Sequence, residues 1–161
     1  ITIQWELLDE LSGDKKTPMT VQQRYTMSLH KKANLRRDLQ SWRGRAFTDE
    51  ELERFDILKV LGTPCQLQVQ HANVNGTVYA NVTNVVPFPK GVTIPKPVHP
   101  LLSFSFDDTV NGQAPPIPAG APSWVRDLIQ KSNEWRGVTE AHGQDDGQGQ
   151  GPPNDDTDIP F

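Results

Sequence analysis

Cysteine is nearly absent from this chain: Cys65 is the one thiol in 161 residues. An internal disulfide is therefore excluded, which fits a reducing compartment. A lone Cys in an alternating apolar stretch reads as a small hydrophobe rather than a nucleophile. No apolar run approaches the ~20 residues needed to span a bilayer. No secretory signal pattern is visible either. The four histidines, His30, His71, His99 and His142, are scattered without metal-ligand spacing. No phosphate-cradling glycine loop precedes a helix, and there is no nucleophile elbow. These absences argue against an enzyme, a cofactor or a bound metal. Asp107-Asp108 leaves one distant alternative, a metal-dependent nuclease. Adjacent loop aspartates are mostly solvated, however, and no third carboxylate lies near in sequence.

Positive charge is missing from one end. All 16 Lys and Arg fall in residues 1–136, against 14 Asp and Glu there, a balance of +2. Residues 137–161 hold Glu140, Asp145, Asp146, Asp155, Asp156 and Asp158 with no Lys or Arg, a balance of −6. Whole-chain charge is therefore a poor guide to what the body binds. The expected division is a domain over 1–136 and a disordered acidic tail over 137–161, too poor in apolar residues to fold.

Along the body, Ile1, Ile3, Trp5 and Leu7 alternate with polar residues, a strand pattern from the first position. Such a start implies an upstream segment that includes a partner strand. A loop at Ser12-Gly13-Asp14 leads to a second alternating stretch, Met19, Val21, Tyr25, Met27 and Leu29. Leu35, Leu39 and Trp42 recur at helical spacing and Gly44 stops that helix. Thr48-Asp49-Glu50-Glu51 is a capping box opening a second helix, with Leu52, Phe55 and Leu58 facing inward. Cys65, Leu67 and Val69 begin another strand. Asn75-Gly76 is a hairpin turn signal, although the turn has room to start at His71. Residues 77–86 return as a strand. Nine prolines between Pro87 and Pro122 make regular structure unfavourable there. Phe88, Leu101, Leu102, Phe104 and Phe106 are nonetheless too apolar for a free linker, so an arm wrapping the body is expected. Ser123 is placed to cap a short helix carrying Trp124, Leu128 and Trp135, whose tryptophans favour docking on the core.

The order strand, strand, helices, strand, strand fits the later four strands of an OB-fold, a five-stranded barrel whose helix lies between strands three and four. The first strand would be the missing one. A four-stranded α+β sheet with helices on one face is the alternative.

The densest cationic stretch is Lys31, Lys32, Arg36, Arg37, Arg43 and Arg45, opposed only by Asp38. Trp42 and Phe47 lie beside it. Cations that track phosphates next to aromatics that stack bases are what single-strand binding requires. Arg24 and Tyr79 complete the expected DNA-binding set. The competing reading makes the cations a solvated helix face, and Trp5, Tyr25, Tyr79 and Phe88 core residues.

The last stretch, Asp155-Asp156-Thr157-Asp158-Ile159-Pro160-Phe161, puts three carboxylates ahead of an apolar, aromatic end. It suits a partner with an apolar slot for Phe161 and a basic rim for the aspartates. Pro160 lowers the entropy lost on docking. Asp155, Asp156, Asp158, Ile159, Pro160 and Phe161 resemble the acidic tip of bacterial single-stranded DNA-binding proteins. In that family the tip recruits replication, recombination and repair enzymes. Residues 20–62, including Asn34-Leu35-Arg36-Arg37-Asp38-Leu39 and Ser41-Trp42-Arg43-Gly44-Arg45, also resemble a group of uncharacterised phage and prophage proteins.

Together these imply a non-enzymatic, phage-type single-stranded DNA-binding protein in the cytoplasm of a bacterial or phage-infected cell. It would coat DNA through its body and recruit enzymes through the tip, with no membrane association. A homo-oligomer is compatible with this reading. The main alternative is an adaptor that carries the tip and binds no DNA.

Overall fold

The structure is a computed structural model that describes residues 1–14, 16–94 and 96–143, the side chains of 139–143 excepted. The fold is mixed, with two antiparallel sheets and a few short helices. The chain divides into two compact units, Ile1–Leu101 and a second that begins at Leu102. This boundary falls inside the stretch 1–136 that composition marks as one domain.

In the first unit, β1 (Thr2–Leu11) pairs with β2 (Pro18–Arg24), with Trp5 opposite Val21. The second strand ends at Arg24, five residues short of the alternation that ran to Leu29. Tyr25 still donates its main-chain N–H to Ile1 at 2.8 Å. Met27 then turns out into solvent at 63% exposure. The helix α1 (Asn34–Arg43) buries Leu35, Leu39 and Trp42 as its spacing requires, and also Asp38. Gly44 closes it in the left-handed region at φ 74°, where a Cβ is unfavourable. The capping box forms as expected: Thr48 accepts from the Glu51 N–H, and the Glu51 carboxylate accepts from the Thr48 N–H. Its helix, α2 (Asp49–Glu53), is a short one. A 3₁₀ turn at Ile57–Val60 follows and leaves Leu58 55% exposed, outside the core.

β3 (Cys65–Val74) and β4 (Thr77–Pro87) form the second hairpin. Its connection is a two-residue turn, with Asn75 and Gly76 both at positive φ. The register shifts between Gln68 and Val69, leaving Thr83 as an extra residue on β4. A shift of one residue exchanges the faces of a strand. Val82 and Val85, three apart, therefore both reach the core, at 7% and 0% exposure.

The core joins Trp5, Val21, Tyr25, Leu35, Leu39, Trp42, Phe47, Val82 and Val85. It lies where α1 packs on β4 and β2 comes against β4. The hairpins remain two separate two-stranded sheets, and no closed barrel forms among the described residues. The arm after β4 is partly pinned to this unit. The Glu6 carboxylate accepts from the main-chain N–H of Val98 and His99 at 3.0 Å each and meets His99 Nδ1 at 2.8 Å.

In the second unit, α3 (Ser123–Gln130) follows Pro122, not Ser123, as its cap residue, without a side-chain cap. Ile129 is its buried residue, and Trp124 is 37% exposed. α4 (Asn133–Gly143) starts with the Trp135 N–H on the Ser132 hydroxyl at 3.2 Å. Residues 137–143 thus continue a helix instead of beginning the tail. Residues 144–161, including the tip, lie outside the described residues. Among the described residues no helix is long and apolar enough to cross a membrane.

Candidate nucleic-acid interface

The cationic stretch around α1 separates into two groups. Four of its arginines have internal partners. Arg36 donates from Nη1 to the Leu29 carbonyl at 3.1 Å and from Nε to Gln40 Oε1 at 3.2 Å. This ties the loop before α1 to the helix. Arg37 donates to Asp38 Oδ1 at 2.8 Å, and that hydrogen bond raises its already high pKa. Arg43 and Arg45 converge on Glu51 Oε1 at 2.6 Å each. Arg43 also lies 4.3 Å from the centre of the Phe47 ring, in cation–π reach. The Arg45 and Arg43 guanidiniums hold the Glu51 carboxyl well below the usual carboxylate range.

The second group is Arg24, Lys31 and Lys32. All three are exposed, and their side chains have no ion-pair partner among the described residues. They follow one another from the end of β2 into the loop before α1.

The expected stacking residues divide too. Trp42 and Phe47 belong to the core, at 7% and 8% exposure. The Trp42 ring lies 6.0 Å from that of Trp5, and its Nε1 donates to the Pro64 carbonyl at 3.1 Å. Phe47 meets Phe55 edge-on at 5.2 Å. Both rings are thus packed mainly into the core, and the surface they retain lines the groove described below. Trp5 and Tyr25 are core as well. Tyr79, at 52% exposure, is the one expected aromatic that stands in solvent.

The fold also assembles what spacing could not. A groove of about 840 Å³ runs along Phe47, Phe55, Val60, Pro64 and Phe88, and it carries Arg54, Lys59 and Lys90. These three cations are exposed and unpaired among the described residues. Lys90 lies far in sequence from Arg54 and Lys59, so only the return of β4 could bring them to one groove.

Asp107 and Asp108 fall in a 3₁₀ turn at Phe106–Asp108. No cluster of three metal-ligating side chains occurs among the described residues. Cys65 is half-buried, and burial pushes its thiol up to about 11, which suits a packed side chain rather than a nucleophile.

No known protein family matches the chain, and neither a curated protein nor a solved structure is similar to it.

Proposed function

We propose that this chain is a phage-type single-stranded DNA-binding protein. Its body coats single strands, and its acidic end recruits replication, recombination or repair enzymes inside a bacterial or phage-infected cell. The observation that carries this reading is the division among the cations. Arg24, Lys31 and Lys32 are held at the surface with no ion-pair partner among the described residues, as are Arg54, Lys59 and Lys90 in the groove beside Phe55 and Phe88, although Glu50 and Glu51 also line that groove. Unpaired cations can replace the counterions of a phosphate backbone, and nearby aromatic faces, Tyr79 included, can stack bases without regard to sequence. Arg36, Arg37, Arg43 and Arg45 contribute chiefly by holding the local fold.

An OB-type barrel is part of the proposal. The hairpin–helix–hairpin order, with α1 packed on β4 and β2 against β4, supports it. Recruitment rests on the chemistry of Asp155, Asp156, Asp158, Ile159, Pro160 and Phe161, three carboxylates beside an apolar anchor. Titration of labelled oligo-dT at several salt concentrations tests the DNA half. Capture of a replication or recombination enzyme by the wild type, and its loss with Phe161→Ala, tests the other half.

A further inference from the structure

The two hairpins have opposite edge chemistry. β1–β2 carries Glu6, Asp9 and Glu10 on one strand and Arg24 on the other. It opens β2 with Pro18 and loses register between Leu7 and Leu11. Charges, prolines and irregularities of this kind keep an exposed sheet edge from templating another strand. β3–β4 lacks the charges altogether. Residues 60–89 contain no Lys, Arg, Asp or Glu, and β3 contains no proline. The extra residue of the bulge is on β4. β4 is packed by α1 and β2, whereas the one substantial neighbour of β3 is β4. The other edge of β3 is therefore a row of main-chain N–H and C=O groups with no strand beside it among the described residues.

The far half of this ribbon also projects past the core. Residues 77–81 are all exposed, with Val78 at 61% and Tyr79 at 52%, and Val74 opposite is at 53%. A two-stranded ribbon with both faces in water is marginal unless further strands join it or a face is packed.

We propose that the open edge of β3 pairs antiparallel with β3 of a second copy of this chain, giving a four-stranded sheet about a two-fold axis. An uncharged edge offers a nucleic-acid strand no cation, and offers a charged protein surface nothing to pair with. A second identical edge meets neither objection. Gln66, Gln68 and Gln70 recur along β3 and are exposed, and amide side chains both donate and accept, so like can bond like. A two-fold axis normal to the sheet keeps both Tyr79 rings on one face. Their joint use as a stacking platform rests on the DNA-binding reading, whereas the pairing does not.

Sedimentation velocity on the 161-residue chain without DNA, over a range of concentrations, tests this. A reversible monomer–dimer equilibrium is expected. Gln66→Lys, Gln68→Lys and Gln70→Lys combined put like charges opposite one another across the new contact and should weaken association by about tenfold or more. Should the triple variant misfold by circular dichroism, Gln68→Lys alone serves, with a smaller shift in the same direction. Main-chain amide exchange along β3 should slow as concentration rises. A folded monomer at every concentration overturns the proposal, as does a dimer indifferent to the lysines. Oligo-dT titration of the same samples separates the two readings, since loss of DNA binding with the dimer intact refutes only the function.

Discussion

The Tyr25 hydroxyl donates to Asp38 Oδ2 at 3.0 Å, between two side chains that are both buried, while Arg37 holds the other oxygen of the same carboxylate. This joins the end of β2 to the middle of α1. Burial first, and the Asp38 charge second, push the phenol pKa up from its ordinary value.

Tyr25→Phe should cost about 1–3 kcal/mol at neutral pH, because a buried carboxylate loses one of its donors. The folded state holds the Tyr25 proton more tightly than the unfolded chain does. This contribution is therefore present in full below the unfolded value of about 10 and is lost as pH rises above it. The stability gap between wild type and Tyr25→Phe should narrow in alkali. Urea melts of both proteins at neutral and alkaline pH check this, and a constant gap would contradict it.

Glu51 is the acidic hub of the first unit, accepting from Arg43, Arg45 and the Thr48 N–H. Its folded pKa is depressed, so its contribution is present above the unfolded value of about 4.3 and is lost as pH falls below it. Glu51→Gln should flatten the acid limb of the stability curve. It should also free Arg43 and Arg45, steepening the salt dependence of any DNA binding. The first effect is read by acid titration of ellipticity and the second by oligo-dT affinity at two salt concentrations.

Trp5 and Trp42 touch and are equally buried, yet their ring nitrogens differ. Trp42 Nε1 has the Pro64 carbonyl as acceptor, and Trp5 Nε1 is buried with no hydrogen-bond partner among the described residues. Replacement by Phe removes similar volume at both sites but a hydrogen bond at only one. Trp42→Phe should therefore be the more destabilising, by about 1 kcal/mol, in parallel urea melts.

Local rules were legible wherever neighbours in sequence settle the matter. The stop at Gly44, the Thr48–Glu51 box and the Asn75–Gly76 turn each depend on backbone chemistry within a few residues, and each formed as read. Alternation also located β1 and β3. What could not be read needed contacts made at a distance. The bulge at Thr83 exists because Val82 and Val85 both gain by burial, although strict alternation puts them on opposite faces. Trp42 and Phe47 look like stacking platforms beside arginines in sequence, yet those arginines are engaged with Leu29, Asp38 and Glu51 while the rings fill the core. The groove that holds Lys90 with Arg54 and Lys59 depends on the fold of the whole first unit. Even the extent of α4 past Gly137 escaped composition, because a polar helix of few apolar residues resembles a tail.

The central claim is tested most directly by the salt dependence of oligo-dT affinity for wild type and for Arg24→Ala, Lys31→Ala and Lys32→Ala combined. Each phosphate neutralised contributes a log–log slope of roughly −0.7 on single strands. Wild type should show a linear fall with salt, and the triple variant should be shallower by up to about 2. The triple Arg36→Ala, Arg37→Ala and Arg43→Ala should instead lower stability more than slope. No salt-dependent binding by wild type, or an unchanged slope in a folded Arg24, Lys31 and Lys32 variant, would contradict the account.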